Sequence, residues 1–371
     1  MDQIRVSVSP GEHRVALLRD DVLVEAIVER PARPDGVGDL HMARVSAIAP
    51  AMSGAFLLLG DGSTAFLAEN EAAPTRQPIA RSVQDGQILP VRITRAALGG
   101  KGPRVTAKLT LAESAPARDR LGLIARGPDA ALRLATRLPS AMVLTDGTAL
   151  ALRLSRELGA ARLQRVPRAF DAALEEEFTA LAEAEVPLPG GGRLLVHPTP
   201  ALTAIDVDSG AGDAQTVNRR AVVEAARQIR LRNIGGAILL DLAGLSPRQR
   251  GALEEPFAAA LAADPLGPRL LGLTRLGLME VVRPRIHPAL HEVLGLPASP
   301  LTHGLAALRR AAAEAAAMPA QALALRAQPA VLAALESLPG ALAAYVADAG
   351  RALLLRPDPL LPAGREIVEP V

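Results

Sequence analysis

The chain has no cysteine among its 371 residues. This excludes disulfide bonds and any metal site built on thiolate ligands. Aromatic residues are almost as scarce, with five Phe and one Tyr. A surface that binds bases by stacking them on aromatic rings must therefore use very few rings.

Lysine is also nearly missing, since only Lys101 and Lys108 occur, and the other basic residues are arginine. The formal net charge is only +2, so a nucleic acid would need a locally basic surface. Codon composition in a GC-rich genome accounts most simply for the arginine and alanine excess. Arginine nonetheless suits bidentate contacts to phosphate.

Long apolar runs are the third absence. No stretch reaches about 18 apolar residues without a charge. Asp2, Arg5, Glu12 and Arg14 also interrupt any apolar run of a secretion signal near the N-terminus. We therefore expect no membrane span, no secretion signal and a cytoplasmic protein. With 49% hydrophobic residues, the chain can form a sizeable core, and its length predicts two to four domains.

Strand and helix patterns divide the chain into several predicted domains. Strand patterns begin at the N-terminus, and five more short strands between residues 41 and 111 predict a small barrel of the OB type. Residues 112–187 are mostly helical, and residues 188–296 alternate strand and helix, which is typical of an α/β domain. A helix over residues 301–317 begins a small α/β tail domain.

Two apolar strands that end in aspartate lie between residues 202 and 241. Asp206 and Asp208 are two apart on the first strand and share a face, and Asp241 ends the second. If the strands are neighbours, the carboxylates can converge on Mg²⁺, or on Mn²⁺, without any zinc. A structural role in turns or helix caps stays open for each aspartate.

A basic helix pattern separates the two strands. It predicts Arg227 and Arg230 as phosphate contacts, and Arg275 and Arg283 on the next element are similar candidates. The alternative is a solvated helix face that has no ligand.

These motifs resemble the catalytic segment of the bacterial ribonuclease E/G family, through AIDVDSG, EAARQIRLRNIGG, ILLD and LTRLGLMEVVRPRIHPAL. The resemblance implies a Mg²⁺-dependent endoribonuclease that cleaves single-stranded RNA in rRNA or tRNA processing or in mRNA decay. The expected products carry 5′-phosphate and 3′-hydroxyl ends. The resemblance assigns Asp206 and Asp241 to the metal. Asp208 stands where the family usually has an Asn that helps to position the attacking water.

The resemblance also implies a multidomain α/β (α+β) fold, with an OB-fold barrel inserted in an RNase H-like region, a DNase I-like catalytic domain and a small C-terminal domain. The corresponding ranges are 1–32 with 139–187 (RNase H-like), 33–113 (OB fold), 114–138 (remnant of a 5′-sensor), 188–296 (catalytic) and 301–371 (C-terminal).

Within the barrel, the resemblance implies that Phe56, Phe66 and Lys101 bind RNA, although strand aromatics are more often core residues. The nearest match to the family's 5′-phosphate sensor is Arg126, which is followed by Gly127 instead of Thr. We therefore interpret the sensor as truncated or absent. The family's zinc-linking cysteines are absent, so any homodimer is not linked by zinc.

Two alternatives to this enzyme stay open. The first is a non-catalytic or weakly active RNA-binding protein of the same fold. The second is a metal-dependent phosphoesterase that acts on DNA or on small phosphates.

Overall fold

A computed structural model describes residues 1–73, 77–116 and 119–371. The chain forms two compact units, of which the first comprises Met1–Pro34, Ala130–Arg283 and Ala289–Val371 and the second comprises Asp35–Asp129 and Pro284–Pro288. The predicted barrel and sensor ranges include residues 74–76 and 117–118, which lie outside the described residues.

The strands of the described ranges are β1 (Asp2–Ser9), β2 (Glu12–Arg19), β3 (Val22–Glu29), β4 (Leu40–Ala49), β5 (Gly54–Leu58), β6 (Thr64–Ala68), β7 (Ile88–Arg95), β8 (Arg104–Thr106), β9 (Gly122–Ala125), β10 (Met142–Thr145), β11 (Leu163–Arg165), β12 (Glu185–Pro187), β13 (Arg193–Pro198), β14 (Thr203–Asp208), β15 (Gly236–Asp241), β16 (Arg269–Leu273), β17 (Met279–Arg283), β18 (Leu323–Ala327), β19 (Leu354–Pro357) and β20 (Ile367–Pro370). The α-helices of the same ranges are α1 (Ile79–Ser82), α2 (Leu111–Ser114), α3 (Ala130–Arg137), α4 (Thr148–Leu158), α5 (Ala172–Ala180), α6 (Ala214–Leu231), α7 (Pro247–Gly251), α8 (Glu254–Leu261), α9 (Leu290–Leu294), α10 (Pro300–Ala317), α11 (Pro329–Glu336) and α12 (Ala341–Ala349). The protein is therefore of the mixed α/β class that the sequence predicted.

The first sheet of the first unit has the strand order β11-β10-β1-β2-β3. Strand β1 pairs parallel with β10 and antiparallel with β2. Asp20 and Asp21 join β2 to β3 with positive φ angles of 49° and 62°. Two successive left-handed residues are what a tight two-residue hairpin requires.

The second sheet of the first unit has the order β12-β13-β14-β15-β17-β16. Strands β14 and β15 are parallel, and helix α6 connects them. Helices α6 and α8 cover one face of this sheet, where Ile205, Ile238 and Leu240 share a buried core with Val222 and Phe257. Because side chains alternate along a strand, the residues between these core positions point to the opposite face.

A smaller three-stranded sheet, of order β19-β18-β20, lies with α10, α11 and α12 in the C-terminal part of the first unit. Leu305, Leu325 and Tyr345 belong to its core and are each at most 1% exposed. No single described helix is long and apolar enough to cross a membrane. Helices α11 and α12 reach the length and hydropathy of a membrane span only when they are taken together, and the pair is bent by 86°.

The second unit contains a barrel of five strands. Its sheet has the order β5-β6-β8-β7-β4-β9, and an additional pairing of β5 with β4 closes it. Leu57, Leu67 and Val91 form part of the interior and are not exposed. A small closed five-stranded barrel is consistent with the OB type that the spacing of short strands predicted.

Candidate metal centre and RNA-binding surface

Asp206 and Asp241 lie side by side at the carboxyl ends of the parallel strands β14 and β15, and the register pairs them directly. Neighbouring strands are about 4.8 Å apart, and paired residues point to the same face of the sheet. Both aspartates are exposed, whereas Ile205 and Leu240 on the opposite face are buried. The structure therefore brings together the two carboxylates that were predicted as metal ligands.

Asp208 occupies the next position on the same face, and other groups hold its carboxylate. The Gly210 N–H donates to Asp208 Oδ1 at 2.9 Å, and Arg193 donates to Asp208 Oδ2 from Nε at 3.0 Å. The hydrogen bond from the Gly210 N–H is the main cause that lowers the pKa of Asp208 from its ordinary value, and the hydrogen bond from Arg193 is the second cause. Within the described ranges, no three His, Asp or Glu side chains form a group that could hold a metal ion. The structure thus brings two acids together and does not add Asp208 as a third.

Two carboxylates fit a divalent cation of the Mg²⁺ type. Mg²⁺ keeps several water ligands and commonly takes one or two carboxylates together with substrate phosphate. The open face beside Asp206 and Asp241 leaves room for those other ligands, since both side chains are exposed. The donor set therefore fits Mg²⁺ or Mn²⁺.

Arg250 is a site residue that the sequence reasoning missed. It lies on helix α7, which begins after a capping box formed by Ser246 and Gln249. The Arg250 Nη1 group donates to Asp241 Oδ1 at 3.1 Å and to the Gly277 carbonyl at 2.8 Å. The capping signature could have predicted the helix. It could not have predicted that this helix places the Arg250 guanidinium beside Asp241 at the end of β15.

Asn218 on helix α6 fixes the segment that follows Asp241. It is completely buried, and its Nδ2 group donates to the carbonyls of Ala214 at 2.6 Å and Ala243 at 2.8 Å. The Ala243 N–H donates back to Asn218 Oδ1 at 3.1 Å. Asn218 thus joins the helix to the loop that follows β15.

We expect Asn218→Asp to lower the free energy of unfolding by about 2 kcal/mol at neutral pH, because an ionised carboxylate cannot donate to two carbonyls. Burial raises the pKa of an introduced carboxyl, so the loss should shrink at mildly acidic pH, where the protonated group can donate again. Urea unfolding at both pH values measures this. The exposed Asn70 supplies the control Asn70→Asp, and equal effects of the two substitutions would contradict the prediction.

The structure does not bring Arg227 and Arg230 to the carboxylates. Helix α6 packs on the buried face of the sheet, opposite Asp206 and Asp241. Arg227 pairs with Glu224 and Glu177 and donates to a carbonyl of β3, and Arg230 pairs with Glu25 of that strand. Ion pairs within the first unit therefore hold both arginines, and the phosphate contacts that the sequence predicted for them stay a prediction.

Arg283 and Arg275 have different surroundings. Arg283 is 4% exposed and donates from Nε to the buried Asp264 at 2.7 Å, so its position contradicts a contact with substrate on the open face. Arg275 is exposed in the turn between β16 and β17. Met279 at the start of β17 pairs with Leu240, which places this turn at the same end of the sheet as the paired aspartates.

Phe56 and Phe66 lie outside the barrel core. They face each other across β5 and β6, with ring centroids 5.5 Å apart in an edge-to-face arrangement. Both are half-buried, and the Arg104 guanidinium lies 5.8 Å from the centre of the Phe66 ring. A Cβ on Gly54 would approach the Phe66 ring to 2.3 Å, so glycine is needed beneath it. Two rings and a cation form a surface on which a base could stack, and Arg104 was not predicted.

Lys101 is exposed in the turn that joins β7 to β8, where it pairs through its backbone with Leu98. Gly102 allows this turn to approach β6, because a Cβ there would lie 1.7 Å from the Thr64 carbonyl oxygen. Lys101 thus lies three residues before Arg104. Arg104 begins β8 and pairs with Phe66 of β6.

Arg126, the nearest match to the sensor arginine, pairs with a buried acid. Its Nη1 group donates to Asp39 Oδ2 at 2.6 Å, and the Gly127 N–H donates to Asp39 Oδ1 at 2.7 Å. The Arg126 side chain is 60% exposed. The sensor role stays a prediction, since these contacts show an ion pair within the second unit and no phosphate site.

The site strands fall within a segment that matches a known family. The sequence model of the Ribonuclease E/G family matches residues 157–286, which include both paired aspartates. Ribonuclease G of Escherichia coli K12 is 26% identical over 398 aligned positions, covering 79% of this chain and 81% of that protein. This chain is therefore similar to the ribonuclease E/G family in the segment that carries the paired aspartates.

Two further members of the ribonuclease E/G family show how similarity is distributed. Ribonuclease G of Haemophilus influenzae is 24% identical over 408 positions and covers 81% of this chain and 83% of that protein. Ribonuclease E of a Synechocystis species is 42% identical, but only over 121 positions that cover 30% of this chain and 18% of that protein. Likeness to ribonuclease G thus extends over most of the chain.

Proposed function

We propose that this protein is a member of the ribonuclease E/G family and a Mg²⁺-dependent endoribonuclease that cleaves single-stranded RNA and leaves 5′-phosphate and 3′-hydroxyl ends. The match of residues 157–286 to that family and the similarity to ribonuclease G support an endoribonuclease. The observation that carries the proposal is the direct pairing of Asp206 with Asp241 on an exposed face of the sheet.

In this mechanism, Asp206 and Asp241 would hold the cation from adjacent strands. A cation bound there would activate a water and offset negative charge on the phosphoryl oxygens. Asp208, where the family usually has Asn, orders the attacking water, and Arg193 and the Gly210 N–H keep its carboxylate ionised and oriented.

The barrel holds the RNA strand in this proposal. Phe56 and Phe66 present an edge-to-face pair for base stacking, while Lys101 and Arg104 offer positive charge to the phosphates. Arg275, exposed at the end of the sheet that carries the carboxylates, is a further phosphate contact.

We extend the proposal to the finer fold assignments and to the cellular role. The order β3-β2-β1-β10-β11, with β2 antiparallel to β1 and β10 parallel to it, supports an RNase H-like region. The sheet that carries the paired aspartates is the DNase I-like catalytic domain. We propose a cytoplasmic role in rRNA or tRNA processing or in mRNA decay, with RNA as partner and any homodimer formed without zinc.

The test is incubation of fluorescent single-stranded RNA and matched DNA with the protein in Mg²⁺, Mn²⁺ or EDTA. We expect cleavage of RNA only, with either cation, and products that a ligase accepts because they carry 5′-phosphates. RNA binding without cleavage would support the non-catalytic alternative. Cleavage of DNA at a similar rate would support a less selective phosphoesterase, since RNA-specific proteins use the 2′-hydroxyl.

A further inference from the structure

The Arg250 guanidinium is fixed on two of its three nitrogens. Nε donates to the Leu245 carbonyl at 3.1 Å, and Nη1 donates to the Gly277 carbonyl at 2.8 Å and to Asp241 Oδ1 at 3.1 Å. Among the residues that the structure describes, none accepts a hydrogen bond from Nη2. The side chain is 18% exposed, so one donor remains available beside the carboxylate pair.

Four other arginines of the catalytic sheet and of helix α6 use both of their terminal nitrogens within the protein. Arg283 donates from all three nitrogens to protein acceptors. Arg227 and Arg230 each use both terminal nitrogens on carboxylates or carbonyls. Arg193 binds the carboxylates of Asp208 and Glu185. Arg250 therefore differs from them in combining contact with a predicted metal ligand and an unused donor.

A guanidinium held in this way is suited to a phosphate. Hydrogen bonds from arginine to phosphate are charge-assisted and stronger than neutral ones. Little side-chain entropy is lost on binding, because the protein already fixes the plane of the group. An RNA phosphate that approaches Asp241 also needs nearby positive charge to offset the repulsion between like charges.

We propose that Arg250 donates from Nη2 to the phosphate of the RNA linkage that lies at Asp206 and Asp241. This assignment rests on the proposed function, since it takes the paired carboxylates as the cleavage site. Arg250 then holds Asp241 through Nη1 and the substrate phosphate through Nη2, so it contributes to both binding and orientation.

The test measures binding in EDTA, so that neither metal nor cleavage contributes. The probes are a short fluorescent single-stranded RNA and a series in which each linkage in turn is an uncharged methylphosphonate. For the wild-type protein, we expect a neutral linkage at the cleavage position to weaken binding about tenfold, because one charge-assisted contact is lost. Arg250→Gln should bind the unmodified RNA about tenfold more weakly and show no further loss with that linkage.

Two other variants complete the experiment. Arg248→Gln is the control, because Arg248 is exposed on the same helix α7, and it should keep the full sensitivity of the wild type to the neutral linkage. Arg250→Lys keeps a charge without the planar fork and should keep only part of that sensitivity. It also supplies the measurement if Arg250→Gln does not fold.

The outcomes separate this inference from the proposed function. If the wild type cleaves RNA in Mg²⁺, yet Arg250→Gln keeps the full sensitivity to every neutral linkage, the Arg250 contact is refuted while the proposed function stands. If the wild type does not cleave, yet one linkage shows loss that depends on Arg250, the phosphate contact stands and the nuclease proposal fails. An equal loss of affinity for all probes would show that Arg250 only stabilises the fold.

Discussion

Asp241→Ala should lower the rate of RNA cleavage by at least about 1,000-fold and leave RNA binding in EDTA nearly unchanged. A catalytic metal ion is worth several kcal/mol of charge stabilisation in the transition state, and each 1.36 kcal/mol is a factor of ten in rate. Removal of one of the two carboxylate ligands should remove most of this stabilisation of the transition state. Single-turnover cleavage of labelled RNA at saturating protein measures the rate, and fluorescence anisotropy measures binding.

The control for this experiment is Glu255→Ala, which removes an exposed carboxylate from helix α8 on the other side of the same sheet. It should leave both cleavage and binding unchanged. The thermal unfolding midpoint of Asp241→Ala should stay close to that of the wild type, because the Asp241 side chain is 52% exposed. An Asp241→Ala protein that cleaves at the wild-type rate would refute the metal-site assignment.

Asp264→Ala should have the largest effect on stability among the substitutions considered. Asp264 and Arg283 form an ion pair whose side chains are only 3% and 4% exposed. Loss of the carboxylate leaves a buried guanidinium without its counter-ion, which destabilises proteins by about 3–5 kcal/mol. We expect urea unfolding to show a loss of this size, with the midpoint shifted and the slope of the transition retained.

An exposed ion pair supplies the comparison. Glu157→Ala breaks a pair with Arg153 whose side chains are 38% and 43% exposed, and it should reduce stability by less than about 0.5 kcal/mol. The double substitution Asp264→Leu with Arg283→Met should lose less stability than Asp264→Ala alone, because it leaves no unpaired buried charge. A loss below about 1 kcal/mol for Asp264→Ala would show that water reaches the guanidinium.

The paired aspartates could be predicted because the relevant signals are local. Apolar residues predict the two strands, the basic helix between them predicts a crossover, and a crossover makes the strands parallel and aligns their carboxyl ends. The structure confirms this arrangement for Asp206 and Asp241. The barrel was predicted for a similar reason, since short strands at regular spacing carry their own pattern.

The sequence could not show which arginines form ion pairs within the protein and which are available to a substrate, because their partners are distant along the chain. Arg230 pairs with Glu25, which is 205 residues away, and Arg227 donates to the Leu23 carbonyl, 204 residues away. Helical spacing shows which arginines share a face but not what that face meets. Arg250 was missed because its position depends on how helix α7 packs beside the turn at Gly277.

The junction that flanks the inserted barrel has a consequence for how this chain can be altered. The Ala130 N–H donates to Glu29 Oε1 at 2.8 Å, so the segments of the first unit that precede and follow residues 35–129 are held together. A short bridge of a few residues can span such a gap with little loss of loop entropy. Excision of residues 35–129, or their exchange for a foreign single-strand-binding module, therefore keeps the contact between Glu29 and Ala130. The segment that loses its partners is residues 284–288 of the second unit, where the Ile286 carbonyl accepts from the Ala96 N–H of the barrel.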